Sequence, residues 1–125
     1  MSPAVVGLLV VAGGLGAVGR FIVDAVIQAR SGVAFPLGTL VINVSGSLIL
    51  GLLTGLTMAH VLPDTVRLVV GTGFLGGYTT FSTASFETVR LVQERRVLAG
   101  VLYGLGSLVV TTAVAGLGLV IGLSV

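Results

Sequence analysis

The sequence predicts an all-α integral membrane protein with four transmembrane helices. Six arginines and four acidic residues are the only charged side chains among its 125 residues, and the mean hydropathy is +1.22. Three stretches contain no formally charged residue: Ser31 to Pro63, Leu68 to Phe86 and Val97 to Val125. Each is close to or longer than the roughly 20 residues with which a helix crosses a bilayer. The stretches lack the period-2 alternation of membrane β-strands, so helices remain as the way to satisfy the backbone in lipid.

The first span extends from Ser2 to about Ile27. This segment has no basic region at its start and no convincing small-residue cleavage site, so we interpret it as a membrane helix and not as a signal peptide. The whole chain, residues 1–125, is then a single membrane domain with spans at about 3–28, 37–60, 65–92 and 97–123.

Composition excludes several classes of function. Six arginines against four acids are too few for a nucleic-acid surface, and without cysteine the chain has no disulfide and no thiol chemistry. We expect no catalysis. Four closely packed helices fill their own centre with side chains and enclose no wide aqueous path, so an oligomer is expected.

Small residues form stripes on two of the predicted spans. The second span has Ser47, Gly51 and Gly55 at intervals of four residues, and the fourth has Gly118 and Gly122. Such stripes let membrane helices approach closely. We interpret most of this glycine as helix contact.

Arginines are distributed unevenly over the predicted connections. Arg30, Arg90, Arg95 and Arg96 lie by the first and third connections, whereas Arg67 alone lies near the second. The positive-inside rule therefore predicts that connections one and three are cytoplasmic and that both termini lie outside.

A glycine motif and an arginine lie together in the first span. Residues 14–19 match the dinucleotide pattern G-x-G-x-x-G, but no strand precedes them, so the pattern favours close helix contact. For Arg20 two interpretations stay open. The guanidinium either reaches the headgroups or pairs with Asp24 one turn later, or it attracts anions.

Two polar stripes predict a lined path. Each places its members at i, i+4 and i+8 and so on one helix face: Thr39, Asn43 and Ser47 on the second span, and Tyr103, Ser107 and Thr111 on the fourth. Hydrogen bonding between helices is the alternative for Asn43, and bonding back to their own helix is the alternative for the hydroxyls.

The sequence of the third span predicts a helix that is interrupted near mid-membrane. Gly76 and Gly77 precede a cluster of threonine and serine there. Carbonyl groups freed at a break find partners in protein, water or an ion, and broken helices at this depth commonly build ion sites. A tolerated kink is the alternative. Glu87, at the end of the segment, is predicted to pair with Arg90.

Taken together, these motifs closely resemble the Fluc (CrcB) family of fluoride channels. The resemblance is carried by residues 13–20, by Gly38-Thr39-Leu40-Val41-Ile42-Asn43-Val44-Ser45-Gly46-Ser47, and by residues 73–82 with Glu87. It covers nearly the whole chain. It implies an antiparallel, dual-topology dimer with two narrow pores in the cell membrane, and a structural sodium ion at the dimer centre.

The resemblance also implies roles for single residues. Asn43 would be a pore-facing donor, Phe81 would turn its ring edge to the ion, and Arg20 would attract anions at a vestibule. The carbonyls of Gly76 and Thr79 would hold the sodium ion. The fluoride path would be completed by other polar side chains: Thr39, Ser82, Thr83, Tyr103, Ser107 and Thr111.

The chain departs from the family at one position. The family has a second phenylalanine three residues after the first, where this sequence has Ala84. Phe86 does not replace it, since at 100° per residue it lies about 200° round the helix from position 84. The subunit either conducts with an incomplete aromatic box or pairs with a different, paralogous subunit.

The function expected from the resemblance is passive export of cytoplasmic fluoride, which would protect the cell from fluoride. A small four-helix multidrug or cation exporter is the first alternative, and its proton-exchanging carboxylate would have to be Asp24. A non-conducting partner subunit of a heteromeric fluoride channel is the second alternative, favoured by Ala84.

Overall fold

The computed structural model describes residues 1–125 and contains helices but no strand. The elements in chain order are α1 (Pro3–Ser31), α2 (Leu37–Met58), α3 (Asp64–Val66), a π-helix (Arg67–Leu75), α4 (Gly76–Tyr78), α5 (Phe81–Gln93) and α6 (Val97–Leu123).

The helices confirm the prediction of an all-α membrane protein. Three of them, α1, α2 and α6, are long and apolar enough to cross a membrane. The segments from α3 to α5 follow one another between α2 and α6 and form the third of the four helical columns of the chain, with α6 as the fourth. The first helix continues to Ser31, beyond the predicted residue 28, and the second ends at Met58, before the predicted residue 60.

The links between the columns are short and turn sharply. Gly32 ends α1 with φ 59°, His60 follows α2 with φ 60°, and Arg95 follows α5 with φ 62°. A left-handed residue just after a helix reverses the chain direction within a few residues. The columns therefore follow each other without room for a soluble domain.

Glycines bring the first and third columns into backbone contact. A Cβ atom on Gly16 would collide with the carbonyl of Phe74, and one on Gly77 would collide with the carbonyl of Gly13. The prediction that the glycine motif of the first span makes close helix contact is thus confirmed. Gly14 is different, since a Cβ there would meet nothing within 4 Å.

A second backbone contact joins α2 and α6. Gly51 and Gly55 approach the carbonyls of Ala115 and Leu119, and the other two glycines of this seam, Gly118 and Gly122, approach backbone atoms of α2. These four glycines make the close helix contact that the small-residue stripes predicted.

Most arginines lie at one end of the bundle. Arg96 Nη1 donates to the carbonyl of Ala34 at 3.3 Å, so the first and third connections are neighbours. At the opposite end Arg67 lies 4.0 Å from Asp64 and forms an ion pair with it. The end with connections one and three therefore carries the excess positive charge.

Arg20 and Asp24 do not form the ion pair that was one interpretation of the sequence. The two ion pairs of the chain are Asp64 with Arg67, and Glu94 with Arg90. Asp24 packs against Gly38 of α2, and its Oδ1 is buried without a hydrogen-bond partner. The spacing of one turn between Arg20 and Asp24 does not lead to an ion pair, because the carboxylate of Asp24 faces α2.

Candidate functional site

A groove of about 750 Å³ lies on one side of the chain, between α2, the third column and α6. Twenty residues line it, and none of them is charged. Predicted site residues from all three columns meet there: Asn43, Ser47, Gly76, Thr79, Phe81, Tyr103, Ser107 and Thr111. All three members of the fourth-span stripe and two members of the second-span stripe, Asn43 and Ser47, thus face one shared groove.

The third column loses helical geometry in the wall of this groove. Its first part ends at Tyr78, Thr79 and Thr80 have extended backbones with ψ 159° and ψ 117°, and α5 begins at Phe81. Thr80 caps the new helix, because its Oγ1 accepts from the N–H of Thr83 at 3.1 Å. Gly76 and Gly77 stay helical, so the interruption falls after the glycines.

Asn43 reaches across the groove wall to the interruption. Its Nδ2 donates to the carbonyl of Thr80 at 2.8 Å, and its Oδ1 accepts from the N–H of Thr80 at 2.8 Å. A primary amide has two N–H bonds, so one donor of Asn43 remains free for the groove.

Phenylalanine contributes only one ring to the groove. Phe81 lines the groove and its residue is 85% exposed, whereas Ala84 occupies the groove position one turn later. Phe86 is 66% exposed and does not line the groove. The structure thus agrees with the helix geometry that separated Phe86 from position 84.

The hydroxyls of the groove differ in how far they are already committed. Thr111 Oγ1 donates to the carbonyl of Ser107 at 2.7 Å, and Tyr103 donates to Glu87. Ser107 Oγ is buried and has no hydrogen-bond partner in the chain. Ser107 therefore presents the one hydroxyl of this stripe whose proton is uncommitted.

Glu87 is the acceptor for two helices. It receives the hydroxyl of Tyr103 on Oε2 and that of Thr39 on Oε1, both at 3.0 Å. The predicted pair of Glu87 with Arg90 is wrong, because Arg90 Nε instead donates to Glu94 at 3.2 Å. The carboxylate of Glu87 therefore accepts hydrogen bonds from α2 and α6 and makes no ion pair along its own helix.

Removal of the Tyr103 hydroxyl should destabilise this cluster. In Tyr103→Phe the ring keeps its edge contact with Phe35, at a centroid distance of 5.4 Å, but Glu87 loses one donor. We expect unfolding in detergent to become easier by about 1–3 kcal/mol. Thr112→Val is the control, since the exposed hydroxyl of Thr112 donates only to its own helix, at Leu108. Equal stability of the two variants would contradict the role of Glu87 as a shared acceptor.

Four predicted site residues lie off the groove lining. Thr39 is 2% exposed and faces Glu87. The hydroxyl oxygens of Ser82 and Thr83 lie 3.3 Å and 3.1 Å from Thr80 Oγ1, at the start of α5. Arg20 is partly buried on α1 and lines neither this groove nor the second cavity, which lies near the first connection.

A second cavity of about 330 Å³ lies where α1 and α5 meet the first connection. Its polar lining comes from Asp24, Gln28, Glu87 and Arg90. Sequence reasoning missed this cavity, and the partners of Glu87 with it, because Thr39 lies 48 positions away in the chain. The sequence pattern pointed to Glu87 only as a partner of Arg90, and the resemblance added it as the acid after the threonine-rich string.

The fold and the groove define a small multi-pass membrane protein whose surface carries a groove lined without any charged residue. The chain matches the family model for "CrcB-like protein, Camphor Resistance (CrcB)" over residues 7–119. The chain therefore belongs to the CrcB family.

Relatives in three bacteria cover nearly the whole chain. A protein of Leifsonia xyli named Fluoride-specific ion channel FluC 1 is 53% identical over 122 residues, which are 98% of this chain and 89% of that protein. Fluoride-specific ion channel FluC 2 of Cutibacterium acnes is 48% identical and matches 89% of this chain and 91% of its own. Fluoride-specific ion channel FluC of Syntrophotalea carbinolica is 45% identical and matches 86% and 88%.

Proposed function

We propose that the chain is a subunit of a fluoride-selective channel of the cell membrane, through which cytoplasmic fluoride leaves passively down its electrochemical gradient. Membership of the CrcB family and the names of the relatives support fluoride as the ion. The observation that carries the proposal is the groove, where hydrogen-bonding side chains of α2 and α6 and the ring of Phe81 share a lining that contains no charged residue.

The donors of the groove suit a small, strongly hydrated anion. A pore must replace the water of fluoride with N–H and O–H groups. The uncommitted N–H of Asn43 is available for this, Ser107 supplies an unpaired hydroxyl buried in the groove wall, and the positive edge of the Phe81 ring adds to them. Tyr103 and Thr111 shape the groove but do not donate to an ion there, because their hydroxyls already donate to Glu87 and to the carbonyl of Ser107.

A second subunit would close the groove. One wall is missing from the single chain, and Phe81 stands exposed at the opening. We propose an antiparallel dimer, in which two such faces enclose two pores. An identical partner is the simpler assembly. Ala84 and the excess of arginine at one end favour a partner of opposite charge bias, because this chain then inserts in one orientation.

A structural sodium ion at the dimer centre fits the interrupted column. The carbonyl of Thr79 accepts no hydrogen bond within the chain, and a hard cation prefers such oxygens. The carbonyls of Gly76 and Thr79 would hold the ion, and its charge would bind the two interrupted columns to each other.

Liposome efflux tests the proposed function. The purified chain, reconstituted with internal potassium fluoride, should release fluoride when valinomycin lets potassium leave. Empty liposomes and a potassium chloride load are the controls. Proton uptake coupled to a cationic drug, without fluoride release, would instead identify an exporter.

Co-reconstitution tests the composition of the dimer. If the chain alone conducts, the homodimer suffices. If efflux begins only after a second, oppositely biased family member is added, the channel is a heteromer. Ala84→Phe, which restores a ring at the groove position, should then raise the flux of the chain on its own.

A further inference from the structure

The side chain of Asn43 forms a two-point pair with a single residue of another column. Both hydrogen bonds go to the backbone of Thr80, one to its carbonyl and one from its N–H, each at 2.8 Å. Both distances are within the ordinary range for N–H···O bonds. The pair thus joins α2 to the point at which the third column loses its helical geometry.

An amide is the side-chain group that matches this position. Thr80 has the extended dihedrals φ −150° and ψ 117°, and an extended residue directs its N–H and C=O to the same side, as in an antiparallel ladder. A partner must therefore donate and accept at once over a short distance. A primary amide does both, whereas a carboxylate only accepts.

The interruption depends on an outside partner for Thr80. The residue is 7% exposed, and buried backbone groups in a membrane protein need a hydrogen-bond partner. The N–H and C=O of Thr80 make no other hydrogen bond in the chain. Without the amide, both groups would be left unpaired in the groove wall.

We propose that Asn43 is a positioning residue that keeps the backbone of Thr80 extended, outside the helical conformation, and thereby directs Phe81 into the groove. Thr80 caps α5 through Thr83, and Phe81 is the first residue of that helix. The pair also fixes the amide plane, which sets the direction of the free N–H of Asn43. The effect on fluoride flux rests on the proposed function, whereas the hydrogen bonds are tested without fluoride.

The unmodified protein offers a direct test, since Asn43 is the only asparagine of the chain. Asparagine labelled with ¹⁵N in the side chain gives one NH₂ signal for the protein in nanodiscs. We expect two well-separated proton shifts, one of which exchanges with deuterium at least about tenfold more slowly than in free asparagine. Rapid exchange of both protons would overturn the proposal.

Asn43→Ala tests the consequence for the backbone. Exchange of the Thr80 amide should become at least about tenfold faster than in the unaltered chain, and fluoride efflux should fall while the helix content stays the same. Thr54→Ala is the matched control, because it also removes a polar group from α2 but one that bonds only to Leu50 of its own helix. It should leave both measurements within about twofold, a change worth less than a typical net hydrogen bond.

The outcomes separate the positioning role from the channel function. If Thr80 stays protected in Asn43→Ala, the proposal fails, whatever the flux does. If Thr80 loses protection but neither protein conducts fluoride, the positioning role stands and the proposed function fails. If Asn43→Ala does not fold, the NMR signal of the unaltered chain still decides.

Discussion

Asn43→Asp should abolish fluoride efflux from liposomes. The substitution puts a carboxylate into a groove that has no charged lining. At about 4 Å and an effective dielectric constant of about 20, repulsion between two unit charges is about 4 kcal/mol, or roughly a thousandfold in rate. Fluoride-electrode recordings of the reconstituted variant would measure the loss.

Asn43→Ala is the control that isolates the charge. Both variants remove the donor to the Thr80 carbonyl, whereas only aspartate adds a negative charge. Aspartate still offers an acceptor to the Thr80 N–H and alanine does not, so a further loss of flux from alanine to aspartate is due to the added carboxylate and not to the missing amide. Undiminished flux in Asn43→Asp would remove Asn43 from the ion path.

Gly16→Ala should prevent stable folding, whereas Gly14→Ala should be tolerated. A Cβ on Gly16 meets the backbone of Phe74 and Tyr78, which cannot rotate away as a side chain does. The first and third columns would have to separate, at a cost of about 3 kcal/mol or more. A Cβ on Gly14 meets nothing within 4 Å, and alanine favours the helix.

Size-exclusion chromatography after heating in detergent would compare the two glycine variants. The Gly14→Ala protein should keep the elution profile and melting temperature of the unaltered chain or exceed them. Equal melting of the two variants would show that the columns do not touch at Gly16. Gly77→Ala, which meets the backbone of Gly13 from the other side of the same contact, should behave as Gly16→Ala.

The helices could be predicted because their cause is local. Long stretches without charge dictate membrane helices, whatever their neighbours are. The glycine stripes were also informative, since small residues at helical spacing have few other uses in lipid. The π-helix had no such signal, because its residues, Arg67–Leu75, do not differ in kind from those of an ordinary helix.

The partners of polar side chains depended on residues distant in sequence. Glu87 was predicted to pair three residues away, but its donors are Thr39 and Tyr103 from other helices. In the third column the glycines suggested where continuity fails. Gly77 instead serves the contact with α1, and the extended residues follow it, where Asn43 can supply hydrogen bonds. No local pattern contains that pairing.

The absence of charge along the groove has a kinetic consequence. Twenty residues line it without one ionised side chain, so a passing anion would meet dipoles and apolar side chains but no opposite charge. Dipoles compensate lost water without creating a deep energy well, and conduction needs occupancy that is shallow enough to end quickly. Such a groove would favour brief dwell times and rapid turnover over tight retention.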